Sequence, residues 1–162
     1  MERGIPITAA GAKFGYAIET VAGTMPTTAQ LITDITTGPD LNPQPEMIET
    51  TDTSCLNCKT YTDGLKDLSG ASTYEANYTT LLKKVWSKLY TDSRAAEKDD
   101  KATWFFIQLS NGDTAAYKGR PSKLGVPKVS TNNLVTVNCY VAPIGEPEWV
   151  DETIKFTEPT GE

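Results

Sequence analysis

The chain contains no histidine, and this absence narrows the chemistry open to it. Histidine is the usual general base near neutral pH and the commonest metal ligand. The sequence also lacks a glycine-rich phosphate-binding loop and a nucleophile elbow. No stretch approaches the ~20 apolar residues of a membrane span, and the first residues lack the apolar run of a signal peptide. We therefore expect a protein that is not an enzyme, binds no cofactor and no membrane, and is made in the cytoplasm.

Positive charge is scarce as well. Fifteen Lys and Arg stand against 21 Asp and Glu, which gives a formal net charge of -6. Proteins bind nucleic acid through Lys and Arg residues clustered on one face. The excess of acidic over basic residues therefore argues against binding to the phosphate backbone. The acidity favours solubility and repels other anions.

The three cysteines do not make an even disulfide framework, which favours a reducing site of synthesis. Cys55 and Cys58 have the spacing of half a zinc site or of a redox pair. A zinc site would need two more ligands, and a redox pair normally opens a helix, whereas this pair lies in a polar stretch. We interpret both as free thiols, with a bound metal or an air-formed disulfide as alternatives. Cys139 falls on the apolar face of a predicted strand and is expected in the core.

What the chain does contain is typical of short strands joined by turns. Its 162 residues are about one domain. Threonine, valine, isoleucine and aromatic residues alternate with polar ones, and 12 Gly and 10 Pro punctuate them. Gly15, inside the first predicted strand, suggests a bulge or a close backbone approach. The predicted strands cover residues 13–19, 31–37, 46–52, 71–78, 104–109, 114–119, 134–142 and 153–157.

Two hairpins are predicted from these strands. Residues 31–37 and 46–52 are expected to pair across a wide, proline-rich connection. Asn111-Gly112 predicts a type I′ turn, in which both residues have positive φ, between strands 104–109 and 114–119. A glycosidase needs two carboxylates in a cleft, and the first hairpin would bring Asp34 towards Glu49, but nothing in the sequence marks a cleft.

A single helix is predicted over residues 81–90, and the charged residues 92–101 after it are interpreted as a turn. Thr79 or Thr80 can cap its start, and it can extend through residues 94–97. The helix is too short to be stable alone, so its apolar stripe must pack on a sheet. These elements predict a mainly β fold, a β-sandwich or partly open barrel with one flanking helix. The expected core residues are Leu82, Val85, Trp86 and Leu89 of the stripe, together with Trp104 and Val137.

The chain is expected to form one domain over residues 1–162, with three peripheral segments. These are an N-terminal arm (1–10), a long polar loop (53–70) and a C-terminal strand and tail (147–162). A loop of this length in a compact domain is usually functional or disordered, and we interpret it as contacting something outside the domain. Trp149 lies in a polar setting and is the tryptophan best placed to face a partner.

Four segments carry a resemblance to a known family. They are the opening Ile5-Pro-Ile-Thr-Ala-Ala-Gly-Ala-Lys-Phe-Gly-Tyr-Ala-Ile-Glu-Thr, the stretch Pro39-Asp-Leu-Asn-Pro-Gln-Pro-Glu-Met-Ile-Glu-Thr-Thr, the stretch Lys59-Thr-Tyr-Thr-Asp-Gly-Leu-Lys-Asp-Leu-Ser-Gly and the end Cys139-Tyr-Val-Ala-Pro-Ile-Gly-Glu-Pro-Glu-Trp. In order and together, they resemble the major tail (tail tube) proteins of long-tailed, non-contractile bacteriophages. The Cys55-Leu-Asn-Cys58 pair is not a feature of that family.

The resemblance implies a structural virion protein, assembled in the cytoplasm of a bacterial host. Six copies are expected to form a ring, and the rings to stack into a tube through which DNA passes without specific binding. Expected partners are further copies of the chain and the tape measure, distal tail and tail terminator proteins. On this interpretation the lumen-facing residues are Asp34, Thr36, Glu49, Thr51, Glu75 and Asn77. The assembly contacts are Ile5, Ile7, Leu56, Tyr61, Leu65 and Trp149.

Two alternatives stay open at this point. One is a tube protein of a contractile tail or secretion system, which shares the fold. The other is a monomeric β-sandwich binding module, such as a carbohydrate-binding or adhesin-like domain, which predicts an exposed aromatic platform.

Overall fold

The computed structural model describes residues 7–8, 10–54, 56–65 and 73–159. This part of the chain is mainly β and contains a single helix, α1 (Thr80–Glu97), as the predicted fold class required. The strands are β1 (Lys13–Ile18), β2 (Thr28–Ile32), β3 (Ile35–Thr37), β4 (Met47–Glu49), β5 (Tyr61–Asp63), β6 (Thr73–Asn77), β7 (Thr103–Gln108), β8 (Thr114–Pro121), β9 (Thr136–Pro143), β10 (Glu148–Val150) and β11 (Lys155–Thr157).

Nine of these strands form one curled sheet with the shape of a half-barrel. Its order is β11-β2-β1-β7-β8-β9-β6-β3, and β10 pairs with β8 beside this path. The pair β11–β2 is parallel, and the other pairs are antiparallel. Strand β9 joins the two halves of the sheet, because its first residues pair with β6 and its last residues pair with the end of β8. The order leaves β11 and β3 as the two edges.

The helix begins where its capping residue predicts. The Thr79 side chain accepts a hydrogen bond from the Leu82 backbone N–H at 3.0 Å, which satisfies one of the free amides at the helix start. The apolar stripe packs on one face of the sheet, and Trp86 is fully buried with its Nε1 donating to the Ser122 carbonyl at 2.8 Å. The main core unites this stripe with side chains of β1, β2, β6, β7, β8 and β9. Its buried members are Tyr16, Ile32, Tyr74, Ala76, Leu82, Val85, Trp86, Leu89, Phe105, Tyr117, Val137, Cys139 and Val141.

The opposite face of the sheet carries a second, smaller core. Ile154, just before β11, is 3% exposed and covers Phe106, which faces away from the helix. Trp104 is half-buried and packs against this second cluster, on the side of the sheet away from the helix. The reason is the strict alternation along β7, where Phe105 faces the helix and its neighbours therefore face the other way.

The predicted hairpin between residues 31–37 and 46–52 is wrong. Asp34 has φ 64°, so the chain turns there and the stretch divides into β2, which pairs with β1, and β3, which pairs with β6. Strand β4 pairs instead with β5 as a separate two-stranded sheet. Glu49 is consequently not opposite Asp34. Alternation alone did not reveal the turn, because aspartate tolerates the left-handed conformation without interrupting an apolar pattern.

Two further local predictions are corrected. The interpretation of residues 53–70 as an unpaired loop is wrong, because residues 61–63 form β5; residues 55 and 66–70 lie outside the described residues. The turn at residues 110–112 is not type I′, since Gly112 (φ 99°) has positive φ and Asn111 does not. The backbone N–H of Leu109 donates to the Asp113 carbonyl, which closes a three-residue loop rather than a two-residue one.

The close backbone approach predicted at Gly15 is confirmed. A Cβ at this position would lie 2.7 Å from the Phe156 ring, so the ring of β11 rests directly on the backbone of β1. The interpretation of Cys58 as a free thiol is wrong, because Cys58 is disulfide-bonded. Cys55 lies outside the described residues, and Cys139 is a free, buried thiol.

Candidate assembly surfaces

The first candidate surface is the solvent side of β6 and β9. Tyr74 and Ala76 of β6 are buried, so the residues between them point the other way. Glu75 lies opposite Asn138, and Asn77 opposite Thr136. We call this surface the polar face, and it consists of Thr73, Glu75, Asn77, Thr136, Asn138 and Tyr140.

Two other residues predicted to face a lumen lie at the edge of the polar face. The Asp34 carbonyl accepts a hydrogen bond from the Asn77 N–H at 3.0 Å, and the Thr36 hydroxyl donates to the Glu75 carbonyl at 3.1 Å. Strand β3 is therefore tied to β6 by side-chain as well as backbone hydrogen bonds. Asp34, Thr36, Glu75 and Asn77 thus lie together, although the sequence pattern predicted two strands, 31–37 and 71–78, without pairing them.

Glu49 and Thr51 lie elsewhere, in the second candidate surface. The two-stranded sheet of β4 and β5, with the chain that joins them, is here called the hairpin (residues 46–65). Thr51 lies beside Thr60, whose backbone N–H donates to the Thr51 hydroxyl at 2.8 Å. The Thr50 hydroxyl donates to the Thr60 hydroxyl at 3.0 Å. Threonine hydrogen bonds thus link the two chain segments just beyond the paired residues of β4 and β5. Glu49 and Thr51 are not brought to the polar face by any described contact.

The hairpin exposes large apolar side chains on both strands and on the connection. Leu56 is 89% exposed and Leu65 is 88% exposed, which is unusual for leucine. Met47, Ile48 and Tyr61 are also exposed. Leu56, Tyr61 and Leu65, all predicted assembly contacts, therefore lie on one protruding element and are accessible. The register of the hairpin pairs Glu49 with Tyr61, a pairing that the sequence pattern alone did not indicate.

The chain termini supply the third candidate surface. Ile7 is exposed, and the Thr8 carbonyl accepts a hydrogen bond from the Ser110 hydroxyl at 3.0 Å, which links Thr8 to the β7–β8 turn. Ile5 lies outside the described residues. Trp149 is 69% exposed and lies in β10, opposite Ala115 of β8. The sequence analysis missed β10, because its three residues are too few to show an alternating pattern.

Burial raises the pKa of three ionisable groups in the core beneath these surfaces. The Tyr74 and Tyr117 hydroxyls lie 2.7 Å apart, and burial, followed by the neighbouring Tyr117, raises the pKa of Tyr74 well above its usual value. Burial, with a smaller contribution from Asp92, raises the pKa of Tyr16 to about 12. Burial also raises the pKa of the Cys139 thiol to about 11. These groups are neutral at physiological pH and act as hydrogen-bonding or apolar packing residues.

The described residues include one buried carboxylate, Glu19, and form no cluster of possible metal ligands. Within the residues that the structure describes, no group of three or more Cys, Asp or Glu side chains could hold a metal ion. Glu19 is 3% exposed, and its Oε1 accepts from the Ala102 N–H at 2.6 Å, while its Oε2 has no hydrogen-bond partner. No helix in the described part of the chain is long and apolar enough to cross a membrane.

A comparison of the sequence with protein-family models and with curated proteins finds no match. Function therefore has to be argued from the sequence pattern and from the geometry of the three candidate surfaces.

Proposed function

We propose that this chain is a tail tube subunit of a long-tailed, non-contractile bacteriophage, and that it works by self-assembly into stacked rings. The observation that carries the proposal is the hairpin, which exposes Leu56, Tyr61 and Leu65 and whose two strands, among the described residues, pair only with each other. A two-stranded hairpin is marginal alone in water, and exposed apolar side chains of this size mark interaction sites. The resemblance of the four sequence segments supports the same assembly class.

The two open sheet edges also support the proposal. Strand β3 ends the sheet on one side and β11 on the other, and among the described residues each pairs with one strand. Exposed edges promote association of chains, and a closed ring of copies removes them. Identical rings that stack through unlike surfaces then extend into an open-ended filament.

The polar face suits the wall of a DNA channel. It combines Glu75 with amide and hydroxyl side chains and carries no lysine or arginine. A phosphate backbone is held mainly by cationic side chains that release counterions, so a neutral-to-acidic wall lets DNA slide. The net charge of -6 also disfavours binding of the negatively charged DNA backbone. On this proposal the chain is not an enzyme, and its partners are further copies of itself and the other tail proteins.

The proposal is tested by electron microscopy of the purified full-length chain at high concentration. Tubes or rings of uniform width are expected. The alternative function, a monomeric glycan-binding module, is favoured by one observation, the 69% exposure of Trp149. This alternative predicts that the chain stays monomeric at every concentration and that Trp149→Ala abolishes its glycan binding. Both results together would contradict the tube proposal and support the binding module.

A further inference from the structure

A groove between the helix and the loop after β8 has the chemistry to receive the hairpin of a second copy. Its volume is about 500 Å³. Val126 is 97% exposed, and the lysines Lys83 and Lys123 stand among the lining residues. We call this the lysine groove, and it is lined by Tyr78, Lys83, Ser87, Tyr90, Thr91, Lys123, Leu124, Gly125, Val126 and Pro127.

The helix beside the groove carries an uncompensated positive charge. Residues 80–91 hold three lysines and no acidic residue, hence a charge of +3 in a chain whose net charge is -6. Lys83, Lys84 and Lys88 are all exposed. The ion pairs that the described residues form join Glu97 to Arg94 and Arg120, and leave these lysines out. Within the described residues, these lysines are therefore accessible to carboxylates of another molecule.

The position of the lysines along the helix costs stability. No acidic residue lies in the first turn, although the positive end of the helix dipole favours one there. Lys83 and Lys84 follow directly on the first turn, and a cation near that end of a helix opposes the dipole. Carboxylates from another molecule, placed over this part of the helix, would relieve the repulsion.

The hairpin presents matching chemistry. Residues 46–65 contain four carboxylates and one lysine, hence a charge of -3. The antiparallel register puts Met47 opposite Asp63 and Glu49 opposite Tyr61. Because directly opposite residues share a face, these four side chains form one surface on which apolar groups alternate with carboxylates. All four residues are exposed.

We propose that this face of the hairpin docks into the lysine groove of a second copy of the chain. Met47 and Tyr61 would cover the apolar lining around Leu124 and Val126, while Glu49 and Asp63 would face Lys83 and Lys123. The hairpin cannot stabilise itself through its own two strands, and the groove supplies the missing third surface. The inference rests on the proposed function in one respect, since it names the contact through which copies of the tube subunit associate.

The test is a charge exchange between two variants of the full chain. Lys83→Glu with Lys123→Glu makes the groove acidic, and Glu49→Lys with Asp63→Lys makes the hairpin basic. In each variant alone, the groove and the hairpin carry charges of the same sign and repel each other. We therefore expect the critical concentration for assembly to rise about tenfold or more. An equimolar mixture restores assembly, because each variant's groove then accepts the other's hairpin. Lys13→Glu with Lys98→Glu is the matched control, since it makes the same change in net charge at exposed sites outside the groove.

The outcomes separate the two proposals. If wild-type tubes form and both charge variants form them at the wild-type concentration, the docking inference is overturned and the tube proposal stands. Failure of the mixture to co-assemble, with both variants folded by circular dichroism, also overturns the docking inference. If the wild-type chain forms no tubes or rings, yet the two variants associate only with each other in sedimentation, the docking inference stands and the tube proposal is overturned.

Discussion

The Thr79 hydroxyl is shared between the helix and the sheet, because it lies 2.6 Å from the Asp34 carboxylate to which it donates. The same oxygen accepts the Leu82 N–H and so caps the helix. Asp34 is the residue at which the chain leaves β2 for β3. One side chain therefore fixes the start of the helix relative to the corner that positions β3 beside the polar face.

The first prediction concerns this shared hydroxyl. Thr79→Ala should lower the free energy of unfolding by about 1–2 kcal/mol, since it removes an N-cap and leaves the Asp34 carboxylate without its donor. Thr80→Ala is the matched control, because Thr80 is exposed in the first helical position and should change stability by less than about 0.5 kcal/mol. Urea denaturation followed by far-UV circular dichroism measures both. Equal effects of the two substitutions would contradict the role given to Thr79.

The second prediction concerns the point where β8 meets β9. A Cβ at Gly119 would lie 2.5 Å from Val141 Cγ1 and 3.1 Å from the Phe105 ring. Gly119→Ala should therefore overpack the core and cost about 1–3 kcal/mol. Gly125→Ala, where a Cβ meets nothing within 4 Å, should cost little. Thermal unfolding of both variants tests the difference, and a fully stable Gly119→Ala would show that the two halves of the sheet are less tightly packed than described.

The third prediction is a loss of stability at alkaline pH. Burial raises the pKa of Cys139 from 9.0 to about 11 and, with Asp92, that of Tyr16 from 10.0 to about 12. A raised pKa in the folded state means that the stability is fully present below the unfolded value and is lost as pH rises towards and through the folded value. The free energy of unfolding should accordingly fall between about pH 9 and pH 12.

Tyr16→Phe separates this effect from general alkaline damage. The variant loses the hydrogen bond that the Tyr16 hydroxyl donates to Gln30 Oε1 at 3.0 Å, so it should be about 1 kcal/mol less stable at neutral pH. Its stability should then fall less steeply with rising pH. Tyr140→Phe is the control, because the Tyr140 ring is 54% exposed. A Tyr16→Phe profile parallel to that of the wild type would rule out the proposed contribution of Tyr16.

The fourth prediction separates the two sides of β6. Trp86→Asp places a carboxylate in the fully buried site on the helix side and should abolish folding. Glu75→Lys changes an exposed residue, so the protein should fold with nearly unchanged stability. In a phage carrying Glu75→Lys, tubes should form while DNA ejection slows, because a cationic wall retains phosphates. Glu75→Gln serves as the charge-neutral control. Unfolding of Glu75→Lys would contradict the placement of Glu75 on the solvent side of β6.

The elements with strong local patterns could be predicted from the sequence. The helix stripe from Leu82 to Leu89 has the spacing of one buried face, and β9 alternates without interruption around Cys139. Thr79 was one of the two caps expected. In α1 and β9, local propensity and tertiary packing favour the same structure. The hydrophobic pattern of the sequence is therefore enough to predict these two elements.

Strand pairing could not be predicted in the same way. Whether residues 46–52 pair with 31–37 or with 61–63 depends on a single turn at Asp34, whose left-handed conformation no alternation pattern reveals. The polar face likewise joins β6 and β9, which lie far apart in the sequence, so its members share no sequence motif. The lysine groove lies between α1 and the loop after β8, and it becomes visible only when the fold has brought them together.

The central claim is that copies of this chain build a tube with the polar face on its inner wall. A cryo-electron microscopy reconstruction of assemblies grown from the purified full-length chain tests it most directly. The expected result is a hollow tube of stacked rings in which Glu75, Asn77 and Asn138 line the channel. A tube with these residues on its outer wall, or a chain that stays monomeric at the highest attainable concentration, would contradict the claim.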